Sequence, residues 1–146
     1  MIINTCSGAM SLAKELENES AKFYQNLSER FTKDKDLFLS FVKENGEYIT
    51  QVERAYYGVI TDAIEGCFAF NLNPEEYALK TNLGENESYS DLVKRAIEIE
   101  EKILKFYSDA AEQSKSLMAD VPRAFKMVVK KRNHRPSTLK SLLGTI

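Results

Sequence analysis

The chain carries one ten-residue segment twice, as ELENESAKFY at residues 15–24 and as EIEEKILKFY at residues 98–107. The two copies lie 83 positions apart and agree at five positions. At about 100° per residue, each copy brings its second glutamate and its tyrosine to the same edge of an apolar helical stripe. These residues are Glu17 and Tyr24 in the first copy, and Glu100 and Tyr107 in the second.

A carboxylate at the edge of a buried stripe is costly unless it is paired or bound to a cation. The repeat places such a carboxylate twice, at Glu17 and Glu100, each with a tyrosine seven residues later. We therefore expect both glutamates to face the protein interior and to need a positive partner there. The alternative is that both side chains extend along the stripe into solvent.

Helical periodicity extends well beyond the repeat. Apolar residues recur at three- and four-residue spacing, which is typical of amphipathic helices. A capping box of Ser88 and Asp91 begins the third helix. Asp120 and Pro122 suit the first turn of the fourth, and Pro136 is expected to end it. The predicted helices cover about residues 8–31, 36–64, 88–114 and 120–135.

The links between these segments predict how the helices are arranged. Short links join the first helix to the second and the third to the fourth, so each pair is expected to form an antiparallel hairpin. The link at about 65–88 is long enough to run the length of a bundle. The sequence thus predicts one all-α domain over residues 1–146: an antiparallel four-helix bundle at about 8–135, with two hairpins, a long crossover and a tail at 136–146.

Composition excludes several classes of protein. Hydrophobic residues make up 43% of the chain and charged residues 29%, which excludes disordered and low-complexity classes. A net charge of −2 gives no reason to expect nucleic acid as a partner, and no apolar run is long enough for a membrane span.

The two cysteines, Cys6 and Cys67, and the absence of a signal-like N-terminus favour a cytoplasmic protein with reduced thiols. The sequence assigns no role to either cysteine.

The glutamate–x6–tyrosine pattern on the first and third helices, with a long crossover, resembles the rubrerythrin branch of the ferritin-like superfamily. The resemblance covers about residues 8–135 and implies a ferritin-like fold. In that family, the corresponding glutamates bind a dinuclear iron centre, and those residues would be Glu17 and Glu100 here. Tyr24 and Tyr107 would be the tyrosines beside that centre.

The same family also places a Glu-x-x-His pair on the second and fourth helices, and both pairs are missing here. Alignment through Phe38 puts Asn45 and Tyr48 at the positions of the first pair. Alignment through Phe125 puts Arg132 and Arg135 at the positions of the second. These four residues are therefore read as vestigial metal-site positions, and metal ligation would fall to Glu17 and Glu100 alone, if any metal binds.

A one-residue shift of the alignment would recover other ligands, namely Glu44 with Glu47 and Lys131 with His134. Helical geometry argues against that frame. Glu44 falls near the margin of the second apolar stripe and Glu47 points away from it. His134 falls on the side opposite Phe125, so it is expected to face solvent.

Arg132 falls in line with the apolar stripe of the fourth helix, so it is expected inside the bundle. Its guanidinium has five donors that suit two carboxylates, and we expect it to hydrogen-bond Glu17 or Glu100, with Asn45 or Tyr48 completing the cluster. The alternative is that Arg132 extends from the end of the bundle into solvent.

Two functions follow as hypotheses. The first is a rubrerythrin-like protein with a degenerate metal site and no cofactor, in a structural, binding or regulatory role. The second is a di-iron oxidoreductase acting on peroxide or ferrous iron with an unusual ligand set. It would need an external electron donor, because the chain has no Cys-x-x-Cys motif. The resemblance also implies a homodimer, for which Phe68, Phe70 and the off-stripe Tyr57 are the predicted apolar surface. The alternative is that Phe68 and Phe70 fold back over the bundle of their own chain.

Overall fold

A computed structural model of the protein describes residues 1–58, 69–117 and 120–146. The described part is an all-α bundle of four helical segments, the last of which is followed by a short fifth helix. The helices are α1 (Cys6–Arg30), α2 (Lys35–Gly58), α3 (Tyr89–Gln113), α4 (Asp120–Arg132) and α5 (His134–Leu143). Short 3₁₀ turns lie at Thr32–Asp34 and Pro74–Tyr77. Within the described ranges, no helix combines the length and the apolar character that crossing a bilayer requires.

The predicted apolar stripes form the core. Phe23, Phe38, Phe41, Ile103 and Phe106 are buried together between the helices. The predicted capping box at the start of α3 is confirmed: the Ser88 hydroxyl accepts from the Asp91 backbone, and the Asp91 carboxylate accepts from the Ser88 backbone. The end of the predicted second helix, residues 59–64, lies outside the described residues.

Side-chain contacts give the direction of each helix. Glu17 contacts Tyr107 while Tyr24 contacts Glu100, so α1 and α3 run antiparallel. Asn45 contacts Arg132 while Gln51 contacts Met127, so α2 and α4 are antiparallel as well. The three-residue turn after α1 makes α1 and α2 an antiparallel hairpin.

The segment after residue 69 runs back along α3. Gln113, at the end of α3, pairs with the backbone of Asn71, and Asp109 accepts a hydrogen bond from Tyr77. Farther along, Arg95 donates to the carbonyl of Asn82. The segment therefore returns the chain from the C-terminal end of α3 to its N-terminal end. The first four residues of the predicted crossover, 65–68, which include Cys67 and Phe68, lie outside the described residues.

A two-residue pairing anchors this segment to the N-terminus. The Ile3 amide donates to the Leu72 carbonyl over 2.7 Å, and the Leu72 amide donates to the Ile3 carbonyl over 2.9 Å. Phe70 is buried in the same region and packs edge-on against Phe125, with ring centroids 6.4 Å apart. Of the two readings for Phe70, the structure fits the one in which it folds back against its own chain, and the prediction that it offers surface to a second subunit was wrong. Tyr57 is exposed, as its off-stripe position predicted.

The C-terminal region departs from the expected tail. Pro136 does not end the helical structure, because it lies in the first turn of α5, where its missing N–H costs little. Pro136 cannot donate to the carbonyl of Arg132, which explains the break between α4 and α5 at Asn133. Leu139 of α5 is fully buried, so this helix belongs to the core.

Candidate functional site

Two buried glutamates lie at the centre of the bundle. Glu17 of α1 and Glu100 of α3 have no exposed side-chain surface. Each accepts a hydrogen bond from the tyrosine of the other helix: Tyr107 donates to Glu17 Oε2 and Tyr24 donates to Glu100 Oε2, both over 2.6 Å. Each tyrosine of the repeat therefore donates its hydrogen bond to the glutamate of the other copy.

Arg132 of α4 bridges the two glutamates. Its Nε and Nη2 atoms donate to Glu17 Oε2 and Oε1 over 3.1 and 2.6 Å, and its Nη1 donates to Glu100 Oε1. The contact with Glu17 is the bidentate geometry that a planar guanidinium favours. Arg132 is fully buried, so the predicted contact with the glutamates is present and the solvent-facing alternatives for Arg132 and both glutamates were wrong.

Asn45 of α2 ties the cluster to α1. Its Oδ1 accepts from Arg132 Nη2 over 3.4 Å, and its Nδ2 donates to Ser20 Oγ over 3.1 Å and to the Glu17 carbonyl over 3.3 Å. Asn45 and Ser20 are both buried, so their polar atoms need such partners. Asn45 therefore holds one edge of the Arg132 guanidinium.

Arg135 provides the second buried positive charge. Its Nη1 lies 3.5 Å from Glu100 Oε2, and its Nη2 donates to the Phe41 carbonyl over 2.7 Å and to Glu44 Oε1 over 3.3 Å. The guanidinium also lies 4.6 Å from the centre of the Phe41 ring, within the range of cation–π attraction. Its Nε is buried and has no hydrogen-bond partner in the described part of the chain.

Tyr48 packs beside both arginines without a hydrogen bond to either. Its ring centre lies 5.3 Å from the Arg132 guanidinium carbon and 5.4 Å from that of Arg135. Tyr48 therefore contributes an aromatic face to the cluster.

The charges of the four fully buried ionic side chains cancel, since two glutamates face two arginines. Burial pulls the pKa of Arg132 downward, but Glu100 and Glu17 outweigh that effect and raise it, so the guanidinium stays charged. Burial also raises the pKa of Tyr24 and of Tyr107 well above the ordinary value, and the neighbouring glutamates add to the shift. Both phenols therefore remain protonated donors at neutral pH.

This donor set does not fit a dinuclear metal centre. All four carboxylate oxygens of Glu17 and Glu100 accept hydrogen bonds from Tyr24, Tyr107, Arg132 and Arg135. Arg132 is a permanent cation, which cannot ligate a metal ion and would repel one. Within residues 1–58, 69–117 and 120–146, no group of three or more histidine, cysteine or acidic side chains has a metal-binding arrangement.

The shifted ligand frame places its residues outside the cluster. His134 is exposed, as predicted, and its Nε2 lies 3.7 Å from Glu44 Oε1. Glu47 and Lys131 are also exposed. Glu44 is half-buried, and its Oε1 accepts a hydrogen bond from Arg135, which links it to the edge of the cluster.

Two further contributors, Ser20 and the Phe41 carbonyl, were not predicted. Ser20 is a polar residue within the otherwise apolar stripe of the first helix. That position was the sequence signal from which its part in the cluster could have been predicted. A backbone carbonyl carries no sequence signal. The Phe41 contribution depends on where the break at Asn133 places Arg135.

Comparison with protein-family models, curated proteins and solved structures finds no match to this chain.

Proposed function

We propose that this chain is a ferritin-like bundle of the rubrerythrin type in which two arginines replace the metal ions, and that it serves as a binding or structural module. The helix directions and the return of the chain along α3 support a ferritin-like arrangement. Asn45 and Tyr48 on α2, and Arg132 and Arg135 on α4, support it too. Both pairs have the three-residue spacing of the family's missing Glu-x-x-His pairs, and both converge on the buried glutamates.

One observation carries the functional part of the proposal. The four oxygens of Glu17 and Glu100 are all engaged by donors of the same chain, and the charges of the cluster cancel internally. Two guanidinium groups thus supply the positive charge that metal ions supply in the metal-binding relatives. Oxidoreductase chemistry at this position would require an open, metal-accepting set of oxygens, and Arg132 occupies them.

The first experiment measures metal directly. The protein is purified from iron-supplemented cells, and its iron content and near-ultraviolet absorption are recorded. We expect far less than one iron per chain and no oxo-iron band. About two irons per chain, with such a band, would overturn the proposal in favour of a di-iron oxidoreductase.

The second experiment tests the ferritin-like placement. Asn45→Glu, Tyr48→His, Arg132→Glu and Arg135→His are combined, which places a Glu-x-x-His pair on each of α2 and α4. We expect this variant to bind iron and to be stabilised by it in thermal denaturation. A matched control changes Asn45 to Gln, Tyr48 to Phe and both arginines to Met, and should gain no iron. A four-fold variant that folds and binds no iron would contradict the placement.

A further inference from the structure

A groove with a volume of about 650 Å³ opens on the protein surface between α2 and α4. That volume lies within the range of small-molecule sites. Lys43, Glu47 and Arg54 of α2 line it from one side, and Lys131 of α4 lines it from the other. Lys43, Glu47 and Arg54 follow a spacing of four and seven residues, which places them on one face of α2.

The groove is positively charged although the chain as a whole is negative. It has three cationic side chains and one carboxylate, while the whole chain carries a net charge of −2. Within the described residues, Lys43, Arg54 and Lys131 form no ion pair with any acidic group; Lys131 contacts only the Gln51 amide oxygen, over 3.5 Å. Their charge is therefore available to an anion from solution.

Tyr48 adds a donor without a partner. The residue is only 2% exposed, yet it lines the groove, and its hydroxyl makes no hydrogen bond within the described part of the chain. Burial raises the pKa of Tyr48 to about 12, so the hydroxyl is a neutral donor at physiological pH. Among the described residues, Arg135 Nε is the fully buried side-chain atom that lacks a partner, so the Tyr48 hydroxyl is reached by solvent and can donate to an oxygen of a ligand in the groove.

Gly46 leaves the backbone of α2 open where it lines the groove. Glycine is unfavourable in a helix interior, yet a Cβ atom added at this position would meet no atom within 4 Å. Packing within the protein therefore does not require this glycine. It keeps free the space that a ligand would occupy against the helix.

We propose that this groove binds a small-molecule polyanion whose phosphate or carboxylate groups contact Lys43, Arg54, Lys131 and the Tyr48 hydroxyl. Lys43 and Arg54 are eleven residues apart, which is about 16 Å along the helix axis. The three cations therefore surround the groove from different directions, and a ligand with several anionic groups can contact more of them at once than a single small anion can. This inference goes beyond the proposed function, and either one can fail without the other.

The test uses inorganic tripolyphosphate, citrate and orthophosphate as probes, with the full chain in NMR titrations that follow the Gly46 backbone amide. We expect saturable shifts of that amide with tripolyphosphate or citrate, at least about tenfold tighter than with orthophosphate. The tighter of the two polyanions identifies phosphate or carboxylate as the preferred group. Absence of a saturable shift with both polyanions up to about 10 mM would overturn the proposal.

Variants separate a built site from general charge attraction. Tyr48→Phe and the combined Lys43→Gln, Arg54→Gln and Lys131→Gln variant are each expected to weaken binding at least about fivefold. The matched control removes three other exposed lysines that make no ion pair in the described residues: Lys33, Lys94 and Lys140, each changed to Gln. Equal weakening in the control would overturn the proposal.

Gly46→Leu fills the groove with a good helix former, so the variant should fold while binding is lost. A variant that fails to fold leaves the Tyr48→Phe result to decide. Unchanged affinity in both Gly46→Leu and Tyr48→Phe would overturn the proposed location.

Discussion

Replacing Arg132 by methionine removes one of the four buried charges while keeping most of the side-chain volume. Arg132 makes three hydrogen bonds to the two glutamates and one to Asn45, and all of these atoms are buried. The Arg132→Met variant loses the stabilisation from these hydrogen bonds. Part of that loss is offset, because the guanidinium no longer has to be desolvated when the chain folds. Removing one partner of such a buried network typically costs about 3–5 kcal/mol, since the other partner's charge stays buried.

For a domain of this length, that loss corresponds to a melting temperature about 10 °C lower. The assay is urea denaturation followed by far-ultraviolet circular dichroism at neutral pH. Arg123→Met is the control, because Arg123 is exposed and its contact with Asp120 is a surface pair. That control should change the free energy of unfolding by no more than about 0.5 kcal/mol.

A double variant distinguishes charge imbalance from lost packing. Arg132→Met leaves the buried cluster with one excess negative charge, and the additional change Glu17→Gln restores neutrality, with Glu100 facing Arg135. We expect the double variant to be more stable than Arg132→Met by about 2 kcal/mol. The reasoning is refuted if Arg132→Met loses less than about 1 kcal/mol, or if Glu17→Gln gives no recovery.

Four further predictions concern the tyrosines, a helix cap, the groove glycine and assembly. The folded-state pKa values of Tyr24 and Tyr107 lie above the ordinary 10.0, so their stabilisation is complete below pH 10 and falls as pH rises toward the folded-state values. Denaturation curves between about pH 8 and 11 should show this decline, and Phe at both positions should reduce it; an unchanged slope would contradict the assignment. Ser88→Ala should lower the free energy of unfolding by about 1 kcal/mol in thermal melts, and a neutral result would mean that the capping box adds no stability. Gly46→Ala should raise it by about 1 kcal/mol by calorimetry, because the helix gains propensity without a clash; a loss would contradict the open space seen there. We also expect a homodimer with the exposed Tyr57 in its interface, and light scattering that shows only monomer at high micromolar concentration would refute it.

Much of the cluster could be predicted from helical periodicity, because periodicity gives the direction of each side chain relative to its own helix. The interior position of Arg132 follows from its alignment with Phe125, and the exposure of His134 follows from the same geometry. The reciprocal pairing of Tyr24 with Glu100 did not follow. That pairing depends on the distance and relative height of two helices, which tertiary packing decides.

The C-terminal region shows a second reason why the sequence alone could not predict the whole structure. Pro136 is compatible either with the end of a helix or with the first turn of a new one. Local sequence does not choose between these outcomes, since the choice rests on the burial of Leu139 against the bundle. The contact of Arg135 with the Phe41 carbonyl depends on the same break, so it could not be predicted either.

The reciprocal glutamate–tyrosine pairs also fix the register of α1 against α3. Apolar stripes repeat at every turn, so a slide of α3 against α1 by one turn, about 5.4 Å, would still bury hydrophobic surface. The same slide would separate Tyr24 from Glu100 and Tyr107 from Glu17. The two buried carboxylates would then lose hydrogen-bond partners. We infer that the polar cluster rejects the mis-registered bundles that the apolar stripes alone would tolerate, and so selects one alignment during folding.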